Sequence, residues 1–130
     1  MNRRLRYQGP TILWALFVFV MCSIKISVEQ SPLFFEGVDK LVHCGFFLVF
    51  VVFYSFGLIR QHNYTVFPFK YALLIFALAV AYGGAIELLQ AYVFTWRDGG
   101  WDDLFADAVG AGMGLFSVWI TSVSFNYGKK

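Results

Sequence analysis

Residues 71–94 read YALLIFALAVAYGGAIELLQAYVF, 24 consecutive residues whose only charged side chain is Glu87. A helix needs about 20 apolar residues to cross a hydrocarbon core of about 30 Å. This stretch is long enough, with a few residues left over to tilt or to enter the headgroup layer. In lipid every backbone polar group must be paired within the chain, so only helices and closed barrels span it. The alternating pattern of a barrel strand is absent here. A membrane-spanning helix is therefore expected.

Outward from this stretch, three further apolar runs cover residues 11–28, 41–59 and 104–124. Polar segments too short to form another domain separate them. The expectation is an all-α fold, a four-transmembrane-helix bundle with short loops, in which residues 1–130 form a single domain. Composition agrees, with 59% hydrophobic and only 14% charged residues, against roughly 25% charged in a soluble domain. Sixteen Phe suit lipid-facing surfaces, and the four Trp and seven Tyr suit the interfaces. The first run follows Arg3, Arg4 and Arg6, as in a signal peptide, but no small-residue cleavage site follows it, so it reads as an uncleaved span. Cys22 and Cys44 lie inside apolar runs in no metal-binding pattern and read as inert thiols.

Charge sets the direction of the spans. The N-terminal tail (Arg3, Arg4, Arg6), the segment after the second run (Arg60, Lys70) and the C-terminus (Lys129, Lys130) carry seven bases and no acid. The other side carries Lys25, Lys40 and Arg97 against all eight acids: Glu29, Glu36, Asp39, Glu87, Asp98, Asp102, Asp103 and Asp107. Basic loops stay in the cytoplasm. Both termini are thus expected inside, and the acidic loops 29–40 and 95–102 outside. The sequon Asn63-Tyr64-Thr65 falls on the cytoplasmic side and is set aside. The bases are scattered and form no nucleic-acid patch.

The remaining polar residues gather at the outer ends of the spans. Gly83, Glu87, Gln90 and Phe94 follow at +4, +7 and +11, one stripe of one helix. Asp103, Asp107, Gly110 and Gly114 repeat that spacing in the fourth run, and Asp39, His43 and Phe47 share a stripe in the second. Glu87 sits about seven residues, or roughly 10 Å, below the outer end. A carboxylate at that depth is costly and by default functional. Antiparallel packing of the third and fourth spans brings Glu87 and Asp107 to comparable depth. Gly110 and Gly114 have no side chains, so another helix can approach closely there, either within the chain or in a homo-oligomer.

Three blocks of these residues resemble the VanZ-like family, small membrane proteins named for a member associated with resistance to the glycopeptide teicoplanin. They are Asp39-Lys40-Leu41-Val42-His43; Gly84-x-x-Glu87-x-x-Gln90; and Arg97 followed by Asp103-x-x-x-Asp107-x-x-Gly110-x-x-x-Gly114. In order they cover residues 39–114. The family usually has Asn where this chain has Asp107. The resemblance implies a bacterial cytoplasmic (inner) membrane protein connected with antibiotic resistance and the cell envelope, and it implies no particular reaction.

Two functions are expected from these residues. In the first, Asp39, Lys40, His43, Glu87, Gln90, Arg97, Asp103 and Asp107 form an outward-facing pocket. That pocket binds or shields a membrane lipid headgroup, a cell-envelope precursor or an amphiphilic antibiotic, without a cofactor. Arg97 pairs a carboxylate or phosphate, and the acids take a cationic amine. In the second, the protein is a membrane-embedded enzyme acting on a lipid-linked or cell-envelope substrate with His43, Glu87 and Asp103, where His43 and Glu87 are the catalytic candidates. A His beside several carboxylates also offers ligands to a divalent metal, although no HExxH spacing is present. Nothing resembling a GxSxG nucleophile elbow or a phosphate-binding glycine loop occurs.

Overall fold

The structure, a computed structural model, describes residues 3–24, 37–96 and 99–127. Four helices account for nearly all of them: α1 Arg3–Ser23, α2 Val38–His62, α3 Phe69–Tyr92 and α4 Trp101–Tyr127. Each overlaps one expected run. The helices α2 and α4 begin three residues earlier than the apolar runs and end three later, because helical hydrogen bonding continues into the polar ends where hydropathy has already fallen.

Three helices, α2, α3 and α4, are long and apolar enough to cross a membrane. The first is the exception. Over its described residues α1 does not meet that combination of length and hydropathy, since its opening turns hold Arg3, Arg4, Arg6, Gln8 and Pro10. The expected first span also runs on to residue 28, and residues 25–36 lie outside the described ones. Among the described residues the protein thus has four helices, three of them membrane-spanning candidates.

Local chemistry sets the helix ends. Asn63 closes α2 at φ 52°, ψ 42°, donating its backbone N–H to the Ile59 carbonyl, a left-handed C-terminal cap that Asn tolerates better than most side chains. Pro68 caps the start of α3 in an extended conformation, at a position whose N–H would have no partner within the helix. The residues of the discarded sequon thus serve to turn the chain between α2 and α3.

Packing does not follow chain order. The most extensive contact is between α2 and α4, which run parallel, whereas among the described residues α1 and α4 make no contact with each other. The buried residues of α4 (Asp103, Ala106, Asp107, Gly110, Ala111, Gly114, Leu115 and Val118) recur every three or four positions and form one seam. Against it α2 brings His43, Cys44, Leu48 and Val51, while the rings of Phe47 and Phe50 meet Tyr82 of α3. The seam is tight because of its glycines. A Cβ on Gly110 would overlap the Cys44 carbonyl, and one on Gly114 would lie 2.8 Å from the Leu48 carbonyl oxygen. The small-residue spacing read from the sequence is therefore filled by α2 of the same chain.

Polar side chains fasten α1 to the rest by reaching backbone carbonyls. Trp14 Nε1 donates to Phe46 O at 2.9 Å, Tyr82 Oη to Ala15 O at 2.6 Å, and Trp96 Nε1 to Ser23 O at 3.2 Å. Each neutral bond is worth about 1 kcal/mol. They replace part of the hydrophobic driving force that helix association lacks in lipid.

Candidate functional site

The N-terminal ends of α2 and α4 and the C-terminal end of α3 converge on His43. Helix α2 presents it inward one turn below Asp39, and it is 2% exposed. From the parallel helix α4, Asp107 (1% exposed) meets it, with His43 Nδ1 and Asp107 Oδ1 3.0 Å apart. From α3 comes Glu87, also buried. One donor atom from each of His43, Glu87 and Asp107 lies within 4.8 Å of the others. Asp39, His43 and Asp103 form a second such group nearer the starts of α2 and α4, sharing the same imidazole. Five of the residues singled out from the sequence, Asp39, His43, Glu87, Asp103 and Asp107, are thus brought together.

The space for this cluster is created by missing side chains. A Cβ on Gly83 would lie 2.5 Å from Asp107 Oδ2. The carboxylate of α4 therefore occupies the hollow one turn below Glu87 on α3. One Glu87 oxygen is fixed, because Oε2 accepts the Gly100 backbone N–H at 2.7 Å. The other oxygen, Oε1, and Asp107 Oδ2 are buried without a hydrogen-bond partner. Leaving a buried polar atom unpaired costs about 1–3 kcal/mol, and more if it is charged. Two carboxylate charges at 4.8 Å repel by roughly 3 kcal/mol at an effective dielectric constant of 20. The cluster thus holds two buried acceptor oxygens, Glu87 Oε1 and Asp107 Oδ2, that no donor among the described residues satisfies.

Two expected pocket members stand elsewhere, and a third is not among the described residues. Gln90 is buried but turns to α1, donating from Nε2 to Cys22 O at 2.9 Å. Lys40 pairs with Asp102 at 3.8 Å on the surface, a contact worth at most about 1 kcal/mol. Arg97 lies outside the described residues.

Two residues that matter here were not singled out from the sequence, Gly99 and Gly100. A Cβ on Gly99 would sit 2.6 Å from Glu87 O and 3.1 Å from Ala91 N. Only glycine lets this loop lie on the end of α3 and deliver the Gly100 amide to Glu87. The signal in the sequence is the Gly-Gly pair directly before α4.

Beside Glu87 a cleft of about 500 Å³ opens between α3 and the start of α4. Its walls are apolar (Ala81, Gly84, Ala85, Leu88, Trp101 and Leu104), and Glu87 is its acid. A Cβ on Gly84 would meet nothing within 4 Å, so this glycine keeps the cleft wide rather than permitting a helix contact. Leu88, Tyr92 and Trp101 around the cleft are exposed. The volume falls in the range of small-ligand pockets. Set against known proteins, the chain matches no family model, no curated protein and no solved structure.

Proposed function

We propose that this protein binds an amphiphile at the outer face of a bacterial cytoplasmic membrane, with the apolar part in the cleft between α3 and α4 and a cationic or polar head at Glu87. The cleft carries the reading. It is an apolar groove among membrane-facing residues, and its polar end leads to a buried cluster of acids. An amphiphile needs that combination, and a purely structural packing defect would not end on a carboxylate. The candidate ligands are a lipid headgroup, a cell-envelope precursor and an amphiphilic antibiotic of the glycopeptide type. The three sequence blocks of the VanZ-like pattern support this choice.

The topology belongs to the same reading. Seven bases and no acid at the two termini and between α2 and α3 support cytoplasmic ends. Leu13, Leu16, Phe17 and Val20 form an exposed apolar face on α1, which supports α1 as the fourth span.

The test uses sensitive bacteria expressing the protein and challenged with teicoplanin. Gly84→Leu fills the cleft where the backbone leaves room, and Glu87→Gln removes the charge at its end. Both variants are expected to lose protection at unchanged expression, with no modified lipid or antibiotic formed. Full protection by both variants, or turnover of a lipid substrate by the purified protein, refutes the reading. Turnover would favour the second one, a membrane-embedded enzyme, for which the 3.0 Å His43–Asp107 contact supplies a base with its orienting carboxylate.

A further inference from the structure

We infer that His43, Glu87 and Asp107 form a binding site for one divalent transition-metal ion, whatever occupies the cleft beside them. The donors come from three different helices, α2, α3 and α4, and all three side chains are more than nine-tenths buried. Their donor atoms lie within 4.8 Å of one another. Ligands at 2.0–2.2 Å from a tetrahedral ion sit about 3.4 Å apart, so side-chain rotations of no more than roughly 1 Å complete the geometry.

Two independent features point to a cation rather than to a chance meeting of acids. Glu87 Oε1 and Asp107 Oδ2 are both buried and unpartnered, although the opposite oxygen of each carboxylate is held, by the Gly100 amide and by His43. In addition, Gly83 leaves room for the free Asp107 oxygen beside α3, the helix that carries Glu87. Gly83 thus lets the Asp107 carboxylate lie against α3, the helix that brings Glu87 into the same three-residue group. Nearer the starts of α2 and α4, Asp39 and Asp103 add carboxylates around the same imidazole. Their charges favour a cation at this end of the bundle. One imidazole nitrogen with carboxylate oxygens and no thiolate suits Zn²⁺ or Mn²⁺ better than Ca²⁺, which takes six to eight oxygens.

The experiment titrates ZnCl₂ into the full chain, purified in lipid nanodiscs after chelator treatment, by calorimetry. One ion per chain is expected, with nitrogen and oxygen but no sulfur neighbours in the zinc-edge X-ray absorption spectrum. His43→Ala is expected to weaken binding on the order of a hundredfold. Asp107→Asn keeps the shape and an acceptor for His43 while removing the charge, so it tests the site in a chain that folds; it too is expected to weaken binding severalfold or more. Asp102→Asn, on the surface, is expected to bind as the unaltered chain does. Absence of saturable binding, sulfur ligation, or binding retained in both His43→Ala and Asp107→Asn overturns the site. Equal loss in Asp102→Asn also overturns it, since the ion would then be held at the surface.

Discussion

Replacing Gly110 with alanine tests the idea that the α2–α4 seam holds the site together. The new Cβ would lie 2.8 and 2.9 Å from the Cys44 carbonyl carbon and Cα, and nearer still to the carbonyl oxygen, whereas ordinary contact begins at 3.4 Å. Backbone on both sides cannot rotate away, so the helices must part, by roughly 1 Å to relieve the overlap. Cys44 is the neighbour of His43, and Gly110 is one turn from Asp107. The same displacement therefore stretches the 3.0 Å His43–Asp107 contact toward the limit of a hydrogen bond. Overpacking costs about 1–3 kcal/mol, and the broken buried contact costs a similar amount. The better helix propensity of alanine returns about 1 kcal/mol. The expected net loss is about 3 kcal/mol, a large share of a typical stability of 5–15 kcal/mol. Gly84→Ala is the matched control, because its Cβ meets nothing within 4 Å, and it should be neutral or slightly stabilising. Denaturant unfolding in detergent micelles, followed by circular dichroism, measures both variants. If Gly110→Ala unfolds within 1 kcal/mol of the parent, or Gly84→Ala loses as much, the seam does not work as described.

Three further outcomes are expected. Gly99→Ala forces the loop off α3 and breaks the Gly100–Glu87 bond; amide hydrogen exchange at Gly100 should accelerate at least tenfold while exchange in the middle of α2 stays unchanged. Gln90→Ala removes the bond from Nε2 to the Cys22 carbonyl and should cost about 1 kcal/mol of stability, yet leave zinc affinity as it was. An effect on zinc equal to that of His43→Ala would return Gln90 to the pocket. Lys40→Ala removes only an exposed ion pair, so unfolding should shift by less than about 1 kcal/mol, and a larger loss would show the Lys40–Asp102 contact to be structural.

Much of the fold was legible because helix formation in an apolar solvent is a local matter. Hydropathy and length located four helices, since every backbone bond of such a segment closes within the segment. Period alone placed Asp39 with His43, Gly83 with Glu87, and Asp107 with Gly110 and Gly114, and all of these are buried or face inward except Asp39, which is exposed at the rim. Gln90 shows the limit of such reasoning. It shares the side of α3 that carries Glu87, but a stripe spans a wide arc, and the Cys22 carbonyl lay within reach on the other flank. For α1, an average over the run is misleading, because its polar opening turns belong to the helix while its apolar run continues past Ser23.

What the sequence determined by itself is therefore a membrane-embedded all-helical chain with its acids at one end, each helix carrying its polar groups on a known face. Partner choice between helices was left to the tertiary structure. Lipid gives apolar faces no reason to prefer one neighbour over another, so steric fit decides, and the close approach allowed by Gly110 and Gly114 seats α4 on α2. That choice brings Asp107 to His43 across 64 positions of chain, leaves a cleft beside α3, and assembles residues from three helices into one cluster around a single imidazole.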